Sequence, residues 1–141
     1  MGVLKKLIDF GVRGRMLIWV KDFISERFGR VRIEGGRSRY TEYRYGLPQG
    51  SCLSPILFNV FLSDIFSKHI VDACIRIGVY ADDICLTAIG STTEEAVERL
   101  SKALGRIDSW GRKNRVHFEK LSDKCGYMIF SRAAIEMQVI T

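Results

Sequence analysis

The chain has 141 residues, 47% hydrophobic and 27% charged, with a formal net charge of +6. That balance suits one small core, excludes wholesale disorder and leaves too little chain for two large lobes. No apolar stretch is long enough to span a membrane, Lys6 stands where a myristoylation signal needs Ser or Thr, and cysteines 52, 74, 85 and 125 lack paired spacing, so buried thiols in an intracellular protein are expected rather than disulfides or zinc.

Gly2 to Phe10 and Gly14 to Arg27 carry apolar residues at helical spacing, Leu4, Leu7 and Ile8, then Met16, Leu17, Val20, Phe23 and Ile24, with Gly11 as a stop signal between them. This predicts a helical pair. The basic start has a weak likeness to an amphipathic targeting sequence, but an ordinary helix is the simpler reading.

Between Arg27 and Arg44 six arginines (27, 30, 32, 37, 39 and 44) face only Glu34 and Glu42, with Phe28, Tyr40, Tyr43 and Tyr45 interleaved. Alternation puts Arg30, Arg32 and Glu34 on one face and Val31 and Ile33 on the other, and Glu34-Gly35-Gly36-Arg37 supplies a hairpin turn. Two explanations stand at this point: a basic surface for nucleic-acid backbone, centred on Arg30, Arg32, Arg37 and Arg39, or solvated edge charges that discourage strand aggregation.

Gly46-Leu47-Pro48-Gln49-Gly50-Ser51-Cys52-Leu53-Ser54-Pro55 follows, leading into the apolar run Ile56 to Phe66. Pro48 and Gly50 make a stiff, then permissive loop, Ser54 can cap a helix, and Pro55 suits its first position. A loop ending on a helix N-terminus favours phosphate, and the Gln49 amide offers both a donor and an acceptor, although a water-facing glutamine is the default. Asn59 and Ser63 interrupt a helix that is otherwise apolar nearly all round, which implies burial and internal hydrogen bonds.

Ile75, Ile77 and Val79, then Ile84, Leu86 and Ala88, alternate with other residues at the period of two that marks strands. Between them Tyr80-Ala81-Asp82-Asp83 sets two carboxylates side by side in a hairpin link. Adjacent like charges repel unless a cation lies between them, and Mg²⁺ is commonly held by one or two carboxylates plus substrate phosphates. Asp82 is the first candidate ligand; Asp83, pointing to the other face in a regular strand, approaches the same ion only through the turn. Aspartate is also a common turn residue, so the pair alone leaves both readings open.

A third helix starts at a capping box, Thr92 with Glu95, and runs through Val97, Leu100, Leu104 and Ile107 to about Trp110, where Arg112, Lys113 and Arg115 form a basic stop. Tyr127 to Phe130 reads as a final apolar strand. His69 and His117 belong to no ligand cluster.

The Pro-Gln-Gly loop with its Ser-Pro and Leu-Phe-Asn helix, followed by the aromatic-Ala-Asp-Asp turn, resembles reverse transcriptases, most closely those of non-LTR retrotransposons. The resemblance implies an α+β fold: a ferredoxin-like β-α-β-β-α-β palm over residues 46–141 lacking its first strand, with the helical pair and basic hairpin of residues 1–45 from the fingers side. It implies RNA-templated transfer of a nucleotide from dNTP to a DNA primer 3′-hydroxyl, with two Mg²⁺ ions held by Asp82 and Asp83. Pro48, Gln49, Gly50, Ser51 and Tyr80 would line the nucleotide and template pocket, and Lys124 matches a lysine that can protonate departing pyrophosphate. The usual Asn-Pro before that lysine is replaced here by Phe118-Glu119-Lys120-Leu121.

In the family the missing strand carries a third carboxylate and the residue that screens the sugar, and a primer-gripping hairpin and thumb follow. The expectation is therefore a partial domain that needs upstream and downstream polymerase segments and is inactive alone. The alternatives are a catalytically dead nucleic-acid-binding relic of a transposable element, or a remnant that never accumulates as folded protein.

Overall fold

The computed structural model of the chain describes residues 2–71, 73–119, 125–130 and 135–139. The chain divides into two compact units, Met1–Asp64 and Ile65–Thr141. Among the described residues no helix is long and apolar enough to cross a membrane.

The first unit is built on three helices, α1 (Val3–Asp9), α2 (Gly14–Ile24) and α3 (Ser54–Leu62). Each buries one apolar residue in a common cluster, Leu7, Val20 and Leu57, with Leu4, Leu17, Phe23 and Leu53 among those packed around it. Gly11, at φ +89°, makes the turn between α1 and α2, a backbone conformation that glycine adopts without steric cost. α2 stops at Ile24, one turn before the expected Arg27, because Arg27 already belongs to a strand.

Lys6 is only 4% exposed, and its ammonium is satisfied locally. Its Nζ donates to Asp64 Oδ1 at 2.7 Å and to the Phe61 carbonyl, and lies 4.6 Å from the centre of the Phe61 ring. This cation ties α1 to the C-terminal end of α3, where an unpaired buried lysine would be costly.

Between α2 and α3 the chain forms a nested hairpin. The outer ladder pairs β1 (Arg27–Gly29) with β4 (Thr41–Tyr43), and the inner one pairs β2 (Arg32–Ile33) with β3 (Gly36–Arg37) around a Glu34-Gly35 turn in which Gly35 has φ +79°. At Gly29 the Tyr43 ring lies over the backbone: a Cβ there would come within 2.3 Å of it, so any larger residue requires the exposed tyrosine to swing aside. The expected alternation of faces does not bury Val31 and Ile33, which remain 64% and 68% exposed because the two-residue strands have no layer beneath them among the described residues.

In the second unit β5 (Ile75–Tyr80) pairs antiparallel with β6 (Asp83–Ala88). One face carries the pairs Ile75–Ala88, Ile77–Leu86 and Val79–Ile84, all buried or half-buried, and α4 (Thr93–Asn114) packs against both strands. The other face, Arg76–Thr87, Gly78–Cys85 and Tyr80–Asp83, is exposed. α4 contributes Ala103, Ile107 and Trp110 to the buried apolar set, at the spacing of a single helical stripe. Its capping box forms: Thr92 Oγ1 accepts from Glu95 N–H at 3.2 Å, and Glu95 Oε2 accepts from Ser91 N–H at 2.7 Å.

α4 continues to Asn114, a turn beyond the expected end at Trp110. Gly111 does not stop it; a Cβ there would meet the Phe118 ring at 2.7 Å and the Val116 carbonyl at 2.9 Å, so glycine lets the returning chain close over the helix. Arg115 takes the left-handed cap at φ 59°, and Val116 N–H donates to the Gly111 carbonyl.

Gly126–Phe130 (β7) is joined by a strand the sequence reading did not anticipate, β8 (Ile135–Val139), in an antiparallel ladder. The fold is thus a mixture of helices and small antiparallel sheets. Among the described residues the cysteines form no disulfide, and they are not buried as expected: Cys52, Cys85 and Cys125 are exposed and Cys74 is half-buried. Asn59, expected inside, is exposed; Ser63 does bond internally, donating to the Val60 carbonyl at 2.8 Å.

Candidate active site and nucleic-acid interface

The β5–β6 ladder ends on the Tyr80–Asp83 pair, so Ala81 and Asp82 form a two-residue turn. Ala81 has φ +52°, a left-handed backbone unusual for a residue with a Cβ. Asp83 opens β6 on the exposed face, and Asp82 sits in the turn itself. The turn, not strand alternation, brings both carboxylates to one tip. Tyr80 is 83% exposed beside them.

Neither carboxylate forms a hydrogen bond or ion pair with a described residue. Two exposed, unsatisfied carboxylates are hard oxygen donors that fit a divalent cation of the Mg²⁺ type, with coordination positions left for phosphate and water. Among the described residues no group of three His, Cys, Asp or Glu side chains comes together to complete a protein-only site.

The loop before α3 is organised by its serines. Ser54 Oγ donates to the Pro48 carbonyl at 2.6 Å, Ser51 N–H donates to the same oxygen at 3.4 Å, and Ser51 Oγ accepts from Leu53 N–H at 3.2 Å. Ser54 is therefore not the expected N-cap. Leu53 holds that position without a side-chain bond, Ser54 is the first helical residue, and its hydroxyl closes the loop. Gly50 supplies φ +81°, and Gln49 is exposed at the turn, clear of any side-chain hydrogen bond with the described residues. Pro48, Gln49, Gly50 and Ser51 thus form one compact loop that presents the Gln49 amide to solvent.

The nested hairpin sorts its arginines. Arg27 is structural: its Nη2 donates to the carbonyls of Gly46 at 2.7 Å and Tyr45 at 3.1 Å, and its Nε to that of Ile24 at 3.2 Å. Arg44 is ion-paired with Glu42 at 2.8 Å. Arg32 and Arg37 stand directly opposite each other across the inner ladder, exposed and without a carboxylate partner. Like charges at that position destabilise a ladder unless an anion joins them. Arg30 lies 4.8 Å over the Tyr40 ring, and Arg39 is exposed without a salt bridge among the described residues. Lys124 lies outside the described residues.

Sequence reasoning missed the Lys6–Asp64 link, the structural role of Arg27 and the left-handed turn residue. Only the first left a trace, a lysine on the apolar side of an amphipathic helix.

Residues 2–132 match the family described as reverse transcriptase (RNA-dependent DNA polymerase). The chain is 29% identical over 126 residues to the RNA-directed DNA polymerase from mobile element jockey of Drosophila funebris, covering 86% of this chain and 14% of that protein. The jockey polymerase of Drosophila melanogaster is 27% identical over 121 residues, covering 83% and 13%. A probable RNA-directed DNA polymerase from transposon BS of the same fly is 31% identical over 98 residues, covering 67% and 11%. The chain thus spans only a small part of the length of these relatives. No solved structure is a significant match. With the family pattern extending over all but the last residues, and with the Pro-Gln-Gly loop and the Asp82-Asp83 turn both inside it, the chain belongs to the reverse transcriptase family.

Proposed function

We propose that the chain is a stretch of an RNA-templated DNA polymerase of a non-LTR retrotransposon, and that Asp82 and Asp83 hold its catalytic Mg²⁺. The observation that carries this is the pair of exposed carboxylates, satisfied by nothing else in the described chain, at the tip of a hairpin with a strained Ala81. Residues 46–141 would be palm in the β-α-β-β-α-β sense, and residues 1–45 a fingers-side helical pair and hairpin. Divalent ions bound there would neutralise phosphate charge and favour ionisation of the attacking hydroxyl.

In the reaction the primer 3′-hydroxyl oxygen bonds to the α-phosphorus of a dNTP, the bond to pyrophosphate breaks, and the hydroxyl proton passes to solvent water. Asp82 anchors the site and Asp83 supports it. Gln49 and Gly50, with Pro48, Ser51 and Tyr80, contact the nucleotide and the RNA template. Lys124 delivers a proton to pyrophosphate, and Arg30, Arg32, Arg37 and Arg39 hold phosphate backbone. The third carboxylate comes from another segment of the polymerase, so these 141 residues alone do not extend a primer.

Primer extension on an RNA template tests the reading. The chain alone, with Mg²⁺ or Mn²⁺, should give no incorporation; grafted into the matching position of the jockey polymerase it should give incorporation that Asp82→Asn abolishes. Sustained, Asp82-dependent synthesis by the isolated chain would overturn the inactivity, and graft activity that survives Asp82→Asn would overturn the metal assignment. The unpaired arginines favour one second reading, a nucleic-acid-binding relic, which predicts binding together with an inert graft.

A further inference from the structure

The inner hairpin β2–β3 is closed by cross-strand pairs that do not stabilise it. Arg32 faces Arg37, and Ile33 faces Gly36, which has no side chain to pack. Favourable pairs are the unit of sheet stability, and like charges placed directly opposite each other work against it. Every residue from Arg30 to Tyr40 is exposed, and Arg32, Glu34, Arg37 and Arg39 have no ion pair among the described residues. A two-stranded ladder this short is marginal in water. It is also offset from the outer one: Gly29 pairs with Thr41 and Arg32 with Arg37, so Arg30 and Val31 oppose Ser38, Arg39 and Tyr40, the extra residue of a bulge. Ser38 closes the gap, its N–H donating to the Val31 carbonyl at 2.9 Å and its Oγ accepting from the Val31 N–H at 2.9 Å. The outer ladder has a support that the inner one lacks, since Arg27 ties it to the carbonyls of Tyr45 and Gly46.

We propose that residues 30–39 form an arm ordered by the nucleic acid it binds: a phosphate backbone seated on Arg32 and Arg37 converts their repulsion into a shared attraction. Without it the arm opens at the Ser38 offset while the outer ladder stays paired. A ligand shifts a two-state equilibrium only by its difference in affinity for the two states. Here the difference has a physical source, because the closed ladder sets two guanidiniums side by side for an anion and the open arm separates them. Glu34 in the turn is the arm's one acid against Arg30, Arg32, Arg37 and Arg39, so the arm as a whole favours a polyanion. The inference rests on the reading of these arginines as a phosphate-binding surface, and adds that binding and ordering are one event. Gly36 gives a way to separate closure from charge: a Cβ there would lie 3.9 Å from Ile33 Cγ1, an ordinary contact, so a β-branched residue completes the missing cross-strand pair.

Amide hydrogen exchange on the full 141-residue chain tests the arm, read at the Ser38 amide and compared with Arg27–Gly29. Saturating single-stranded RNA should slow exchange at Ser38 about tenfold and leave the outer ladder nearly unchanged. Inorganic phosphate at the same phosphate concentration should do far less. Gly36→Val should slow Ser38 exchange before any RNA is added and tighten RNA binding about threefold, because the arm no longer has to be closed by its ligand. Arg37→Glu, which places opposite charges across the ladder, should also slow exchange without RNA, but weaken binding and remove the further slowing by RNA. Should either variant fail to fold, the other carries the test. Exchange at Ser38 that RNA does not change, wild-type affinity in Gly36→Val, fast exchange in Arg37→Glu, equal protection by inorganic phosphate, or no RNA binding at all would each overturn the arm. RNA binding that needs the four arginines while Ser38 is equally protected with and without RNA sinks this inference alone. RNA binding with an unchanged salt slope after all four are replaced sinks the phosphate-binding reading beneath it.

Discussion

Ala81 occupies a backbone region that costs an L-residue roughly 1–2 kcal/mol, and it does so next to the two aspartates. Alanine is not a turn signal, so its sequence neighbourhood announces the carboxylates but not the strained backbone that presents them. Ala81→Gly should relieve the strain and raise stability by up to about 1 kcal/mol, offset in part by the greater freedom of glycine in the unfolded chain, whereas Ala81→Val should lower it. Urea midpoints of the three proteins decide; an Ala81→Gly protein less stable than the parent would mean the turn is unstrained. Lys6 makes a second residue-scale case. Truncation to Ala removes the ammonium from Asp64 and from the Phe61 carbonyl. Breaking a fully buried pair costs about 3–5 kcal/mol, and with Asp64 43% exposed the loss drops to about 2 kcal/mol. Lys6→Met, which keeps the stem packed, should lose less. Equal losses in chemical denaturation would show that the ion pair, not the packing, dominates.

At the scale of elements, periodicity located α1, α2, the β5–β6 hairpin and the start of α4, because each buries a stripe or an alternate face that the sequence spells out. Ends were less legible. The pattern of α4 reads as ending near Trp110, but Gly111 allows close packing against Phe118 and the helix gains a turn, and the ladder of β7 with β8 depends on a pairing no local pattern specifies. The start of α4 carries a pH dependence. Glu95 is held below the ordinary carboxylate value first by the Ser91 N–H it accepts from, then by Arg99, and Glu94 by its own backbone N–H and Thr92. A carboxyl depressed in the folded state contributes stability that is fully present above its unfolded value of 4.5 and is lost as pH falls through the folded value. Helicity of α4 should therefore weaken below about pH 4.5, and Glu95→Gln should flatten that response in circular-dichroism melts. Thr92→Ala should cost about 1 kcal/mol at neutral pH, the usual worth of a cap.

The whole molecule is marked by an excess of positive charge that its folded structure only partly consumes. Of the six arginines between residues 27 and 44, Arg27 spends its donors on main-chain carbonyls and Arg44 on Glu42, while Arg30, Arg32, Arg37 and Arg39 form no salt bridge among the described residues. The sequence showed the cluster but not the division, since only coordinates tell which guanidinium is engaged by its own chain. Edge protection alone asks for charges along an open strand and is indifferent to which anion answers them; phosphate binding asks for these four and leaves the engaged two out. If each of the four neutralises one phosphate, log K for RNA or DNA should fall against log salt with a slope contribution of roughly 2.8–3.6. Replacing all four by Ser should remove that contribution, and Arg44→Ser should leave the slope nearly unchanged. A slope that drops equally for Arg44→Ser, or survives loss of the four, would return the hairpin arginines to solvated edge charges.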